Sequence, residues 1–158
     1  MRATPADRDA VLELFEASVP VAFRNLAYDA LRTALDGSDT ERCAVSRDRT
    51  GGALTGFVLF GFVAGAIGAG KIRVVGVAPL ARRRGVGRAL VTAAVDELCN
   101  DDARFVLVEL PDTDEARFAS ALLASCGFVE EARATDLVRD GVDMRFLVRR
   151  LARARRDR

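Results

Sequence analysis

From Gly51 to Gly70, inside the bounds set by Arg49 and Lys71, the chain runs twenty residues without a charge. A stretch of that length either crosses a bilayer or is buried inside a protein. Seven of the twenty residues are glycine, which weakens membrane insertion and soluble helix formation alike. The pairs Gly52/Gly56 and Gly61/Gly65 imitate a helix-packing spacing. The composition nevertheless favours a buried strand followed by a glycine-rich turn. Leu54 to Val63, a continuous apolar run of strand length, is then a central strand covered on both faces. No membrane partner is expected.

The rest of the pattern alternates helix and strand. Thr4-Pro5-Ala6-Asp7 has the spacing of a capping box with proline at the first helical position. Val11, Leu14 and Phe15 follow as an apolar helix face. A second helix is predicted over Phe23 to Leu35, ending near Gly37. Strands are predicted over Glu41 to Ser46, Ile72 to Val77 and Phe105 to Leu110, and helices over Arg88 to Cys99 and Ala116 to Cys126, the latter stopped by Gly127. Asp140-Gly141 is a hairpin turn joining Glu130–Val138 to Val142–Arg150. Along the last strand Val142, Met144, Phe146 and Val148 alternate onto one face. With an opening strand, the order predicts one mixed α/β (α+β) domain over residues 1–150. Its sheet has about seven strands and about four flanking helices. A basic tail covers 151–158.

Composition limits the chemistry. The chain has 158 residues and no histidine, so a Ser-His-Asp triad, a Cys-His pair and a His-ligated metal are excluded. Cys43, Cys99 and Cys126 are odd in number, far apart and without metal-ligand spacing. They read as reduced thiols of a cytoplasmic protein, and no metal is expected. Met1-Arg2 leads into a polar segment rather than a secretory leader. Basic and acidic residues nearly balance, 24 against 23, but six of the arginines lie in residues 149–158. Without interleaved aromatics that tail reads as solvated, and nucleic acid is not an expected partner.

The segment richest in chemistry is Ile72 to Leu90, IRVVGVAPLARRRGVGRAL. A β-branched strand ends at Ala78-Pro79, a basic turn follows, and a helix opens near Gly85 to Arg88. Unpaired backbone N–H groups and the helix dipole favour an anion there. Gly85 and Gly87 let a phosphate approach the backbone. Arg82, Arg83, Arg84 and Arg88 supply positive charge at the same edge. The assembly reads as a pocket for a pyrophosphate.

Val77-Ala78-Pro79 followed by Arg82-Arg83-Arg84-Gly85-Val86-Gly87-Arg88 resembles the acyl-CoA-binding motif of the GNAT N-acetyltransferases, Gln/Arg-x-x-Gly-x-Gly/Ala. The element order resembles that family along nearly the whole chain. Leu122 to Phe128 resembles its later helix, which closes with Gly-Phe. The resemblance implies a centrally splayed sheet and acetyl-CoA as co-substrate. It also implies a primary-amine acceptor, on a small molecule or peptide, and a possible homodimer. It places the pyrophosphate on the amides of Arg82 to Arg88, Val86 among them. The pantetheine arm then pairs with Val75, Gly76 and Val77, and an amide near Val77 faces the oxyanion.

An amine of pKa about 10 must lose a proton before it attacks. Glu109, near the end of its strand, is the candidate base, and Asp112, Asp114 and Glu115 would attract a cationic acceptor. Phe23 and Tyr28 are candidate acceptor contacts. Two positions depart from the family: Leu123 stands where a tyrosine usually protonates the departing thiolate, and Ala116 where an asparagine is frequent. Ser120, Ser125, Tyr28 or water could replace that acid, since a thiolate of pKa roughly 8.5 leaves tolerably well unaided. The alternative reading is an acyl-CoA-binding sensor or assembly module with weak or no catalysis. Gly65 to Ile72 nearly matches a Walker A loop, but Ile72 replaces the Mg²⁺-binding hydroxyl and a strand follows instead of a helix.

Overall fold

The capping spacing at the start of the chain is realised with one change. Asp7 Oδ2 accepts from Thr4 N–H at 2.7 Å and from Thr4 Oγ1 at 2.9 Å, while Arg47 pairs with Oδ1. These bonds close a 3₁₀ turn, Pro5–Asp7, and helix α1 (Arg8–Ser18) begins only after it. The computed structural model describes residues 1–152. Of the basic tail 151–158, only Leu151 and Ala152 are among them, so the solvated reading of its arginines lies outside the described residues.

The elements then follow the predicted order: α2 (Val21–Leu35), β1 (Glu41–Arg47), β2 (Leu54–Phe62), β3 (Ala69–Val77), α3 (Val86–Asn100), β4 (Phe105–Pro111), α4 (Arg117–Ser125), β5 (Val129–Arg139) and β6 (Val142–Arg150). Gly37, Gly127 and Gly141 have φ of 86°, 85° and 75°, the left-handed backbone that helix ends and a tight hairpin demand. The strands form one sheet in the order β1-β2-β3-β4-β6-β5. It has six strands, not seven. The opening strand shrinks to a bridge between Arg2 and Ala44, because Pro5 turns the chain into its 3₁₀ segment three residues later. The twenty uncharged residues hold β2, whose Phe57, Val58, Leu59 and Phe60 are fully buried. No helix among the described residues is long and apolar enough to cross a membrane.

The chain divides into two compact units. The first combines Met1–Gly61 with Ile72–Ala94. Its core joins Val11, Leu14 and Phe15 of α1 and Leu31 and Leu35 of α2 to Val45, Phe57 and Leu59 of β1 and β2. The second combines Phe62–Lys71 with the residues from Val95 on. There β4 is flanked by β6, in an antiparallel ladder from Phe105↔Arg150 to Pro111↔Met144. Met144 and Val148 are buried as the alternation predicts, Val142 and Phe146 on the same face are half-buried, and Leu147 on the other face is buried too, so β6 carries apolar side chains into cover on both faces. The edge is β5, exposed along almost its whole length.

The Asp7 bonds have a consequence for acid stability. Thr4's amide, with its hydroxyl and Arg47, holds the Asp7 carboxyl below the usual range against the opposing effect of burial. A carboxyl depressed in the folded state stabilises above its unfolded pKa, and that contribution disappears as pH falls through the folded value. Asp7→Asn should therefore cost about 1–3 kcal/mol at neutral pH. In thermal melts the gap to the parent should close below about pH 4.

Candidate functional site

The β3–β4 ladder is parallel and short. It pairs Ala69, Gly70 and Lys71 with Phe105, Val106 and Leu107. Beyond Lys71, β3 runs on to Val77 without a recorded β4 partner. The strand begins three residues earlier than predicted. Lys71, the lysine of the Walker-like segment, is therefore a strand residue and not part of a phosphate loop.

Within the first unit, glycines hold the end of β3 in place. A Cβ on Gly76 would lie 2.2 Å from Phe57 Cε1 and 2.4 Å from Ser18 Oγ. A Cβ on Gly56 of β2 would lie 2.8 Å from Leu90 Cδ1, 2.9 Å from the Gly76 carbonyl and 3.0 Å from Val86 Cγ1. The start of α3 is thus seated over β2 beside the end of β3. Val75 and Val77, flanking the buried Gly76, remain half-buried.

The connection is the predicted basic turn. Pro79–Ala81 forms a 3₁₀ turn, and Arg82 Nε donates to the Val77 carbonyl at 3.3 Å, tying the turn back to the strand. Arg83 and Gly85 then take left-handed conformations, φ 60° and 83°. For an arginine this costs about 1–2 kcal/mol, a strain typical of ligand-binding turns. The helical ladder starts with Ala89 N–H donating to the Gly85 carbonyl at 2.9 Å. The amides of Val86, Gly87 and Arg88 therefore precede it and have no intrahelical acceptor. Arg82, Arg83, Arg84 and Arg88 are all exposed.

Glu109 lies in the second unit. On β4 the less buried positions are Phe105, Leu107 and Glu109, so Glu109 shares a face with the residue registered against Lys71. Lys71 Nζ is 2.8 Å from Glu109 Oε1, with the two side chains 17% and 35% exposed. This contact escaped the sequence reading. The available signal was that Lys71 is the single lysine beside 23 arginines.

The neighbouring charges are less free than the sequence suggests. Asp112 is paired with Arg133 at 2.5 Å, and Arg133 also holds Glu130 at 2.9 Å and Asp143 at 3.2 Å. Asp112 thus shares one guanidinium with two other carboxylates. Among the possible thiolate-protonating groups, Ser120 Oγ accepts from Arg145 at 3.1 Å and Ser125 Oγ donates to the Leu122 carbonyl at 2.7 Å. Leu123 and Cys126 are buried. A surface depression of about 540 Å³ in this unit is lined by Asp112, Thr113, Asp114, Arg117, Ser120 and Arg145 among others. Its mixed charge is unlike the purely basic turn. Phe23 packs partly buried against the first unit's core. Tyr28 is 42% exposed, with its ring 6.3 Å from that of Phe15. Burial pushes the Cys43 thiol up to about 12, which removes it as a nucleophile at neutral pH.

The Acetyltransferase (GNAT) family pattern matches residues 8–128. The chain belongs to the GNAT acetyltransferase family. No curated protein sequence matches it. Several solved structures share the fold. A GNAT-family protein from Desulfovibrio desulfuricans superposes with a TM-score of 0.84 at 19% identity, covering 96% of this chain and 98% of that one. The ribosomal-protein-S18-alanine N-acetyltransferase of Escherichia coli gives 0.76 at 17%, covering 100% and 96%. Arabidopsis thaliana NAA60, in complex with acetyl-CoA, gives 0.76 at 18%, covering 96% and 97%. In this GNAT chain the strand–turn–helix that carries the family motif is the one whose spacing Gly56 and Gly76 enforce. Gly76→Ala should destabilise the protein by about 1–3 kcal/mol through overpacking, read as a lower midpoint in urea unfolding.

Proposed function

We propose that the protein transfers the acetyl group of acetyl-CoA to a primary amine by direct attack on the thioester. The observation that carries this reading is the Arg82–Arg88 turn. It combines two left-handed residues, helix-start amides ahead of the first intrahelical bond and four exposed arginines. Amides and guanidinium groups there bind the pyrophosphate. Val75, Gly76 and Val77 take the pantetheine arm along a strand whose β4 ladder has already ended. An amide near Val77 steadies the developing oxyanion. The acetyl-CoA held by the Arabidopsis structure supports the choice of donor. The alanine acceptor in the Escherichia coli protein's name makes a peptide amine a reasonable acceptor class.

Glu109 acts as the base. Its carboxylate takes one proton from the acceptor ammonium, the freed amine bonds to the carbonyl carbon, and as the C–S bond breaks the nitrogen releases its second proton to water. The thiolate then takes a proton from water, because the usual phenol position is the buried Leu123. That same substitution favours the second reading, a CoA-binding sensor.

Calorimetry and thiol release separate the two. Coenzyme A should bind the parent, and Gly87→Glu should weaken binding at least tenfold, about 1.4 kcal/mol. The variant's thermal midpoint should hold, because a glutamate in the first turn suits the helix dipole. Absence of heat with the parent overturns the donor site. Binding without thiol release across a panel of peptide and small-molecule amines moves the reading to the sensor. Glu109→Gln should lower kcat by about 10² to 10⁴ and leave coenzyme A affinity intact. An unchanged kcat removes Glu109 as base.

A further inference from the structure

The chain meets its carboxylates with arginine almost everywhere, and where arginine faces a glutamate it tends to take both oxygens. Arg73 donates from Nε to Glu41 Oε2 at 2.7 Å and from Nη2 to Oε1. Arg150 holds Glu131 through the same two nitrogens, at 3.0 and 2.5 Å. Such forks are what a planar guanidinium is built to make. Glu109 is treated differently. The only lysine of the chain meets it, with Nζ 2.8 Å from Oε1. No other donor among the described residues reaches this carboxylate.

We propose that Lys71 is a positioning residue that grips one oxygen of Glu109 and leaves the second open to receive the acceptor's proton. The inference rests on the reading of Glu109 as base and assigns that base its partner. A compact ammonium fixes the carboxylate rotamer and balances its charge without closing it. An arginine would do the first two and prevent the third. Lys71 is the last β3 residue paired to β4. Backbone pairing up to Lys71 anchors the ammonium, and Glu109 stands two residues past its register partner Leu107.

The test is a rank order that a purely structural pair would not produce. Lys71→Met should lower kcat about tenfold, and Lys71→Arg about 100-fold, towards the level of Glu109→Gln. The KM for acetyl-CoA should stay at the parent value in all three. Rates are read as thiol release with a peptide bearing a free N-terminal alanine and a peptide bearing an internal lysine. An ion pair that serves stability alone predicts the reverse order, with arginine nearest the parent. Lys71→Arg within about twofold of the parent overturns the proposal, and so does Lys71→Met with kcat intact. Should the arginine variant fail to fold, the methionine variant decides: kcat must fall while KM holds. If Glu109→Gln loses rate but neither Lys71 variant does, the base stands and Lys71 does not. If Glu109→Gln is unchanged, or neither peptide turns over, both fall. Labelling the lysine with ¹⁵N gives one side-chain signal. A shift of that signal in Glu109→Gln reports the ion pair independently of turnover, and no shift overturns the contact on which the proposal stands.

Discussion

A single carbon added at Gly76 would sit 2.2 Å from the ring of Phe57. A Cβ there would force the buried Phe57 ring and the Ser18 hydroxyl aside, so β3 keeps this place without strain only with hydrogen there. The same restriction at Gly56 lets Leu90 and Val86 of α3 come down onto β2. Together these absences bring the last residues of β3 and the first of α3 to one edge of the first unit. The linking residues must then cross a short gap, which they do with a 3₁₀ turn and two left-handed residues. The amides left over at the head of α3 follow from that geometry. The shape of this turn is therefore a product of close packing, and its exposed arginines add charge to a shape that the glycines impose.

Electrostatic pairing divides by residue type. Gly61 has no side chain, and a Cβ there would lie 2.2 Å from the Thr40 carbonyl and 3.0 Å from Glu41 Oε2. The space it leaves on β2 accommodates the bidentate bond between Glu41 of β1 and Arg73 of β3. Arg133 and Arg145 bind Glu130, Asp112, Asp143 and Ser120 across the second unit's hairpin and the residues after β4. Arg133 is shared among three of these carboxylates and Arg145 joins it at Glu130. The turn arginines face solvent, and Glu109 meets a lysine, an ammonium without the planar fork of a guanidinium. Charge held in closed pairs serves the scaffold, and charge left open is available to a ligand.

Local chemistry was legible from the sequence. Thr4 and Asp7 bond within one turn, Gly127 and Gly141 need a positive φ, and the β2 run is buried as its lack of charge requires. Each depends on residues a few positions apart. The strand–turn–helix of residues 72–90 was readable for the same reason, together with the family it indicates. The seventh strand was not, because whether Met1 to Ala3 counts as a strand depends on how soon Pro5 diverts it. The extension of β3 back to Ala69 was also hidden, since a run of glycine and alanine has no strand propensity of its own and is ordered by its partner Phe105–Leu107.

What the sequence determined alone is the composition of the basic turn: its glycines, its arginines and the helix start with its unpaired amides are contiguous, so no distant contact has to be known. Only the tertiary structure decided which charges are spent. Arg73 finds Glu41 thirty-two residues away, Arg133 finds Asp112 twenty-one away, and Lys71 finds Glu109 across a ladder that ends at that point. Sequence spacing carries no record of such meetings, because strand register and the order of strands in the sheet set them.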